Sequence, residues 1–337
     1  MRILLVSHEA CRAHRPGAQH PERPARLDSV LAGVRDCSPG VQVLEAEAPR
    51  AGRRVLERLH APAYVEAIER LCAAGGGPLD PDTAVVPASW EAALRAVGAG
   101  PEAVEQLSAG RAKAAFLAVR PPGHHAMPAR ALGFCLFNNL ALTAARLVEE
   151  GERVAVIDWD VHHGNGTQSV FYSRDEVLYV SLHQFPAYPG TGWLDETGTG
   201  RGAGTTLNFP FPPGTAGDVY REAFGMVEAV LRRFDPDWVL VSAGYDAHRA
   251  DPLAGLALVE ADYAAMAASL AEVAPGRLIL FLEGGYNLPA LQASVAATVR
   301  GLAGGEHHSP GPGRSPPQSW RILERVAEVI SGFWQLD

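Results

Sequence analysis

The sequence is poor in cysteine, in positive charge and in long apolar runs, and each shortage excludes a class of protein. The 337 residues contain 4 cysteines. These stand far apart and without a C-x-x-C pair, at Cys11, Cys37, Cys72 and Cys135. In a chain of this length such spacing is not a disulfide framework, so we expect a reducing compartment.

Positive charge is outweighed by negative charge. The chain has 29 Lys and Arg residues against 38 Asp and Glu residues, which gives a formal net charge of −9. Because a phosphate backbone is bound by clustered cations, nucleic acid is not expected as a partner. Basic peptides stay open as substrates, since a negative surface attracts them.

No apolar run approaches the roughly 18 residues of a membrane span, and the first apolar run is too short for the core of a signal peptide. We therefore expect a cytoplasmic protein without a membrane partner. The G-x-S-x-G pattern of serine hydrolases is also missing. The glycine-rich stretches at 98–100 and 198–204 lack the strand–turn–helix context of a phosphate loop, which favours plain surface turns.

Short apolar runs alternate with amphipathic helical patterns, which predicts an α/β fold. Strands are predicted at 3–6, 114–119, 154–157, 177–182, 238–243 and 278–282, with weaker candidates at 41–44 and 205–209. Helices are predicted at 88–109, 138–150, 216–234 and 260–274. Because the strands are continuously apolar, the sheet should be parallel and covered by helices on both faces. We expect a single domain over residues 1–337, with an irregular Gly/Pro-rich segment at 301–320 and a final helix at 321–335.

Polar segments follow five of these strands. They are "AVRPPGHHA", "DWDVHHGNG", "HQFPAYPGTG", "GYDAHRADP" and "EGGYN". In open parallel α/β sheets, ligands bind beyond the carboxyl ends of the strands. The five segments therefore predict one shared pocket at that edge of the sheet.

Two of the segments contain a candidate metal site. Asp160 and His162 stand two apart, so they project to the same side if the strand persists. With Asp246 they make a His and two-carboxylate set that leaves a coordination position open, as in catalytic zinc sites, although other divalent metals accept the same donors. The alternative is that Asp and His at this strand end cap the next helix.

Three further side chains could perform acid–base chemistry. His124 and His125 are adjacent after a Pro-Pro-Gly turn, where one neutral imidazole could accept a proton while buried Asp158 orients the other. Tyr286 follows two glycines that permit a tight turn, so its phenol could stabilise an oxyanion. Phe134 and Tyr188 could line an aromatic channel. The alternatives are surface histidines, a packing tyrosine and ordinary loop aromatics.

Seven strings in this order resemble the histone-deacetylase family of the arginase/deacetylase superfamily, specifically its class II branch and the bacterial deacetylase-like amidohydrolases. They are "HPERPARL" (20–27), "RPPGHHA" (120–126), "GFCLFNN" (133–139), "VIDWDVHHGNGTQ" (156–168), "VSLHQFPAYPGTG" (180–192), "SAGYDAHRADPLAG" (242–255) and "LEGGYN" (282–287). The resemblance implies a single-domain fold with an eight-stranded parallel sheet flanked by helices.

The resemblance also implies a role for each matching position. Asp160, His162 and Asp246 would hold one zinc ion. His125 would be the general base, His124 would pair with Asp158, and Tyr286 would stabilise the transition state. A structural potassium ion would be held by Asp158, by the Ser181 hydroxyl and by the carbonyls of Asp160, His162 and Leu182. Gly133, Phe134, Tyr188 and Leu253 would lie along the acyl-lysine tunnel, and residues 20–24 ("HPERP") would shape its rim without a catalytic role.

Two positions refine the branch that this sequence resembles. Asn165 stands where the class I branch has Asp, and a neutral amide behind His125 raises its pKa less than a carboxylate would. Leu253 stands where the polyamine-preferring relative carries a Glu gatekeeper, which disfavours acetylpolyamines. A carboxylate from another loop or from a second subunit could substitute for that Glu.

The expected activity is hydrolysis of an N-acyl amide, most plausibly acetyl-lysine in a peptide or protein, or a similar small acylated amine. Three rivals stay open: an acetylpolyamine amidohydrolase with the same machinery, an acyl-lysine binder without turnover, and an arginase-like dimanganese hydrolase. The His124–His125 pair disfavours the last, because it occupies space that a second metal would need. The sequence leaves the oligomeric state open, a homo-oligomer included.

Overall fold

The structure is a computed structural model that describes residues 1–36, 40–304 and 313–335. Cys37 and part of the predicted irregular segment, residues 305–312, lie outside the described residues. The strands are β1 (Arg2–Ser7), β2 (Gln42–Glu47), β3 (Gly77–Pro78), β4 (Ala84–Val85), β5 (Ala114–Ala118), β6 (Val154–Asp158), β7 (Val177–Gln184), β8 (Thr206–Phe211), β9 (Trp238–Ala243) and β10 (Leu278–Leu282).

The helices include short single turns and long packed elements. They are α1 (Ala10–Ala13), α2 (Ala25–Arg35), α3 (Arg53–Leu56), α4 (Pro62–Ala73), α5 (Ser89–Ser108), α6 (Asn139–Glu149), α7 (Asn165–Phe171), α8 (Gly217–Phe234), α9 (Glu260–Val273), α10 (Leu288–Leu302) and α11 (Pro317–Ser331). None of these helices is long and apolar enough to span a membrane.

Eight strands form one sheet in the order β2-β1-β5-β10-β9-β6-β7-β8, and every neighbouring pair in it is parallel. Every residue of β5, β6, β9 and β10 is buried, because these strands are continuously apolar and helices cover both faces of the sheet. The edge strand β2 has no fully buried residue. The predicted α/β fold with an eight-stranded parallel sheet is confirmed.

The helices pack in two groups. In one group α10 contacts α2 and α9, and α8 contacts α9 and α11. In the other group α5 contacts α1, α4 and α6. Apolar side chains of α2, α5, α6, α8, α9, α10 and α11 form the main core with the sheet and with Cys11, whereas those of α3 and α4 belong to a second, smaller cluster. Within the described residues the cysteines Cys11, Cys72 and Cys135 are free and buried.

Three local predictions need correction. The final helix spans Pro317–Ser331 rather than 321–335, because Pro317 starts the helix at a position where its missing N–H costs nothing. Residues 301–302, predicted as irregular, belong to α10. Three helices of more than ten residues were missed: α2, α4 and α10. The N-terminus of α10 is capped by the Asn287 side chain, which accepts a hydrogen bond from Ala290 N.

Candidate active site

Five adjacent strands of the sheet, β5, β10, β9, β6 and β7, direct the loops after them toward one cavity. The cavity has a volume of about 240 Å³. Its lining includes eight residues singled out in the sequence: His124, His125, Gly133, Phe134, His162, Tyr188, Leu253 and Tyr286. The sheet order therefore brings together segments that are up to about 160 residues apart in the chain.

Asp160, His162 and Asp246 offer ligand atoms that all lie within 4.8 Å of one another. The sequence interpretation placed Asp160 and His162 on a continuing strand, but strand β6 ends at Asp158. A loop orients them instead: Asp160 Oδ1 accepts a hydrogen bond from His162 N (2.9 Å), and Asp246 Oδ1 accepts one from Val161 N (2.9 Å). Backbone donors thus fix both carboxylates.

The helix-capping alternative for this segment is wrong. Helix α7 begins after Gly164, and no side chain caps its N-terminus. The carboxylates of Asp160 and Asp246 point instead toward the cavity cluster that they share with His162.

This cluster fits a divalent cation. Asp246 Oδ2 is buried and accepts no hydrogen bond from any described residue, although His162 Nδ1 lies 3.3 Å away. Burial favours neutral His162, but the nearby carboxylates of Asp160 and Asp246 raise the pKa of His162 to about 10. Two buried carboxylates therefore attract positive charge here, and two oxygens with one nitrogen are donors that zinc accepts.

His124 is held as a cation. Its Nδ1 lies 3.1 Å from Asp158 Oδ2, and both side chains are buried. Burial disfavours the charged ring, yet Asp158, Asp160 and Glu283 raise the pKa of His124 to about 10. Asp158 is itself oriented by hydrogen bonds that its oxygens accept from other buried donors.

His125 is held neutral beside it, with ring centroids 4.0 Å apart. Burial, followed by the positive charges of His124 and His162, lowers the pKa of His125 well below its ordinary value. The neutral ring donates from Nδ1 to Asn165 Oδ1 at 2.8 Å, which leaves the Nε2 lone pair free. Adjacent histidines therefore differ in charge, as an acid–base pair requires.

Tyr286 reaches the cavity because two glycines precede it. A Cβ on Gly284 would collide with Asp246 Oδ2, and Gly285 has φ +117°, a backbone angle that residues other than glycine rarely adopt. Burial raises the pKa of Tyr286 well above its usual value, so the phenol keeps its proton and can donate it in a hydrogen bond.

Aromatic residues line the mouth of the cavity. The Tyr188 ring lies edge-on to His125 at 5.1 Å, and the Phe134 ring lies edge-on to Tyr286 at 6.0 Å. Tyr188 is 40% exposed and Leu253 is 42% exposed, so both reach the surface. A Cβ on Gly133 would collide with the His125 ring, which explains a glycine there.

A family model described as histone deacetylase domain matches residues 20–302. The chain belongs to the histone deacetylase domain family. A probable deacetylase of Archaeoglobus fulgidus is 38% identical over 310 residues, 88% of this chain and 86% of that protein. The histone deacetylase-like amidohydrolase of Pseudomonas aeruginosa is 40% identical over 295 residues, 85% of this chain and 77% of that protein.

The solved structures agree with this assignment. The crystal structure of the HDA15 HD domain superposes with a TM-score of 0.91 at 34% identity, covering 98% of this chain and 95% of that one. An uncharacterized protein of Synechocystis is 43% identical over 309 residues, 90% of this chain and 99% of that protein. The histone deacetylase-family chain is therefore a hydrolase of the deacetylase or amidohydrolase type.

Residues 20–24 of this deacetylase-family chain do more than shape a rim, which corrects the sequence interpretation. The His20 ring lies edge-on to Phe134 at the mouth, but Glu22 is fully buried. Both Glu22 carboxylate oxygens accept hydrogen bonds from Arg120, and Oε1 also accepts one from Arg26 Nη1 at 3.0 Å. Arg26 in turn lies 5.0 Å from the centre of the Tyr286 ring.

Two carboxylates near the catalytic candidates were also missed. Glu283 Oε2 accepts hydrogen bonds from Gly123 N (2.7 Å) and His124 N (3.2 Å). Asp251 Oδ2 accepts one from Tyr286 N at 2.7 Å. Glu283 directly follows the buried strand β10, and Asp158 is the last residue of the buried strand β6, so position at a strand end was the signal that could have identified Glu283.

The potassium site stays a prediction. Asp158 and Ser181 are register partners on adjacent strands, and both are fully buried. Ser181 Oγ already lies 2.9 Å from His183 Nδ1, and Leu182 O accepts a hydrogen bond from Tyr220 at 3.1 Å. Each oxygen keeps a second lone pair, so the donor chemistry is compatible with a monovalent cation.

Proposed function

We propose that the protein is a zinc-dependent deacylase that removes acetyl or other acyl groups from lysine side chains or similar amines. The observation that carries this proposal is the pairing of His124 and His125. A carboxylate, Asp158, faces one ring and a neutral amide, Asn165, faces the other, directly beside the cluster of Asp160, His162 and Asp246. A protein that only binds acyl-lysine has no need of a base.

Asp160, His162 and Asp246 would hold the zinc ion, which supplies a Lewis acid for the acyl carbonyl and for the attacking water. His125 accepts the proton of that water at Nε2, since its Nδ1 is occupied by Asn165. Tyr286 donates a hydrogen bond to the oxygen on which negative charge develops. A protonated histidine then delivers a proton to the leaving amine.

The cavity walls suit a long apolar stem, although one carboxylate, that of Asp82, also lines the cavity. Phe134 and Tyr188 both line the cavity, and the Tyr188 ring lies edge-on to His125. Leu253, which is exposed at the mouth as Tyr188 is, carries no charge. An aminoalkyl chain of lysine can stay apolar along such walls while its acylated end reaches the base of the cavity.

A substrate panel on the zinc-loaded protein tests the proposal. The panel compares acyl-lysine peptides of increasing acyl length with acetylputrescine and acetylspermidine, and kcat/KM is measured for each. We expect acyl-lysine peptides to be hydrolysed fastest. Faster hydrolysis of the acetylpolyamines would favour the polyamine rival, and peptide binding without release of the acyl group would contradict an enzymatic role.

A further inference from the structure

A closed ring of hydrogen bonds joins the loop between β7 and β8 to the segment that carries the metal-ligand candidates. Thr191 Oγ1 lies 2.8 Å from His163 Nδ1, and His163 Nε2 lies 2.8 Å from Gln168 Oε1. Gln168 Nε2 donates to Glu196 Oε2 at 2.6 Å. Glu196 Oε1 accepts from Gly192 N at 2.8 Å, and Gly192 follows Thr191 in the chain, so the ring closes.

The direction of every hydrogen bond in this ring is determined. A carboxylate only accepts, so the Gln168 amide must point its nitrogen at Glu196 and its oxygen at His163. His163 must then carry its proton on Nε2, and its Nδ1 accepts from the Thr191 hydroxyl. His163 and Gln168 are buried, 1% and 7% exposed, so a broken link would leave polar atoms without water.

The ring holds the loop tightly against the sheet. Gly192 has φ +87°, and a Cβ there would lie 2.6 Å from the His163 ring and 2.7 Å from the His183 ring. His183 Nε2 donates to Gly192 O at 3.0 Å. Glu196 Oε1 also accepts from Trp193 N at 2.9 Å.

Tyr188 lies three residues before Thr191 on the same loop. Its hydroxyl makes no hydrogen bond to any residue that the structure describes, and its ring meets His125 edge-on at 5.1 Å and His162 at 6.3 Å. Without a polar contact from its hydroxyl, the Tyr188 ring depends for its position on these edge contacts and on the backbone that carries it.

We propose that His163, Gln168 and Glu196 are positioning residues that set Tyr188 as a wall of the acyl-lysine cavity before substrate binds. This inference rests on the proposed function. His163 adjoins His162 in the chain, so the ring couples the metal-ligand loop to the substrate wall. His163 thereby acquires a role without taking part in the proton transfers.

The ring offers a swap experiment. Glu196→Gln places two amide nitrogens opposite each other, and Gln168→Glu places two carboxylates opposite each other. We expect each single variant to raise KM for an acetyl-lysine peptide about tenfold, because a buried hydrogen bond left unmade shifts an equilibrium by roughly that factor. The double variant restores one acceptor and one donor at this link, so its KM should return to within about threefold of wild type.

Two controls separate positioning from general damage. Glu222→Gln makes the same chemical change on the exposed face of α8 and should leave KM unchanged. In a Tyr188→Ala background, Glu196→Gln should have no further effect on KM, because the wall that it positions is gone. Amide hydrogen exchange of the peptide spanning 185–199 should be faster in both single variants and restored in the double variant.

Single variants with unchanged KM, or a double variant as impaired as the worse single, would overturn the inference. So would an undiminished effect of Glu196→Gln in the Tyr188→Ala background. A wild-type protein that hydrolyses no member of the substrate panel contradicts the proposed function instead. An active wild type with unaffected single variants contradicts the positioning role alone.

Discussion

His124 and His125 are chemically identical neighbours whose surroundings separate their charge states. Asp158 faces His124 with a carboxylate, whereas Asn165 faces His125 with a neutral amide oxygen. The carboxylate stabilises an imidazolium, while the amide oxygen accepts a hydrogen bond from the neutral ring without adding charge. A general base must start neutral near the working pH, so the residue behind each ring determines which histidine can serve.

At the residue scale, Tyr286→Phe tests the oxyanion role. The variant keeps the ring and its contact with Arg26 but loses the donor, so kcat on an acetyl-lysine peptide should fall by about two to three orders of magnitude. Bound zinc, measured by elemental analysis, should not change. Tyr172→Phe, outside the cavity lining, serves as the control. Near-normal kcat in Tyr286→Phe would remove this residue from the mechanism.

Glu22 is the residue whose loss should most damage the fold beneath the site. It is fully buried, and although burial alone would raise its pKa, Arg120 and Arg26 lower the pKa of Glu22 to about 2. Glu22→Gln leaves two buried guanidinium groups short of a counter-charge and should lower the free energy of unfolding by about 3–5 kcal/mol.

Denaturant unfolding measures this cost. The matched control is Glu45→Gln, which breaks an exposed ion pair with Arg35 and should cost less than about 1 kcal/mol. Equal costs in the two variants would show that burial of the Glu22 cluster contributes nothing to stability.

At the scale of secondary structure, the sequence indicated the buried elements better than the charged ones. The strands around Val156, Val241 and Leu280 were predictable because continuous apolar runs have few alternatives to a buried parallel strand. Helix α2 was missed because its buried face includes Arg26, whose acceptor Glu283 O lies far along the chain and is brought close only by the fold.

In the candidate site, too, some residues could be predicted from the sequence and others could not. Asp160, His162 and Asp246 could be found because their donor types suit a metal whatever their exact geometry. Glu196 could not be found, since its importance depends on amide donors from Gly192 and Trp193 that only a folded loop presents. Local motifs therefore reveal the chemistry, and the residues that position it emerge from contacts across the chain.

Helix α11 follows the segment matched by the family model and closes the end of the sheet beside β8. Ile330 is 1% exposed and belongs to the main core, whereas Ile322 on the same helix is only partly buried. Ile330→Ala should therefore lower the free energy of unfolding by about 3 kcal/mol and Ile322→Ala by clearly less. A larger loss at Ile322 would mean that the helix packs through its other face.

At the scale of the whole molecule, buried neutral histidines make stability depend on pH. His60 Nδ1 donates to Met127 O at 3.1 Å, and its Nε2 accepts from Asn138 N at 3.0 Å. Burial lowers the pKa of His60 from 6.5 to about 4. Its contribution is therefore complete above pH 6.5, where the unfolded chain is also neutral, and is lost progressively as the pH falls toward 4.

For His60 alone this loss should reach about 2 kcal/mol at pH 5 and about 3 kcal/mol below pH 4. Denaturant unfolding near pH 7 and near pH 5 measures it in the wild type and in His60→Gln, whose amide can replace both hydrogen bonds without taking up a proton. The variant should lose less stability between the two pH values. Identical losses would contradict the assignment of His60 as a titrating group.

The site as a whole depends on the order of five strands, because residues from His124 to Tyr286 meet only when those strands lie side by side. The central claim is that this assembly is a zinc-dependent deacylase. Acetate release from an acetyl-lysine peptide, measured after chelation and again after zinc is restored, tests it most directly. Chelation should lower the rate by about a hundredfold or more, and zinc should restore it. Full activity in the chelated protein, or no acetate release after zinc is restored, would contradict the claim.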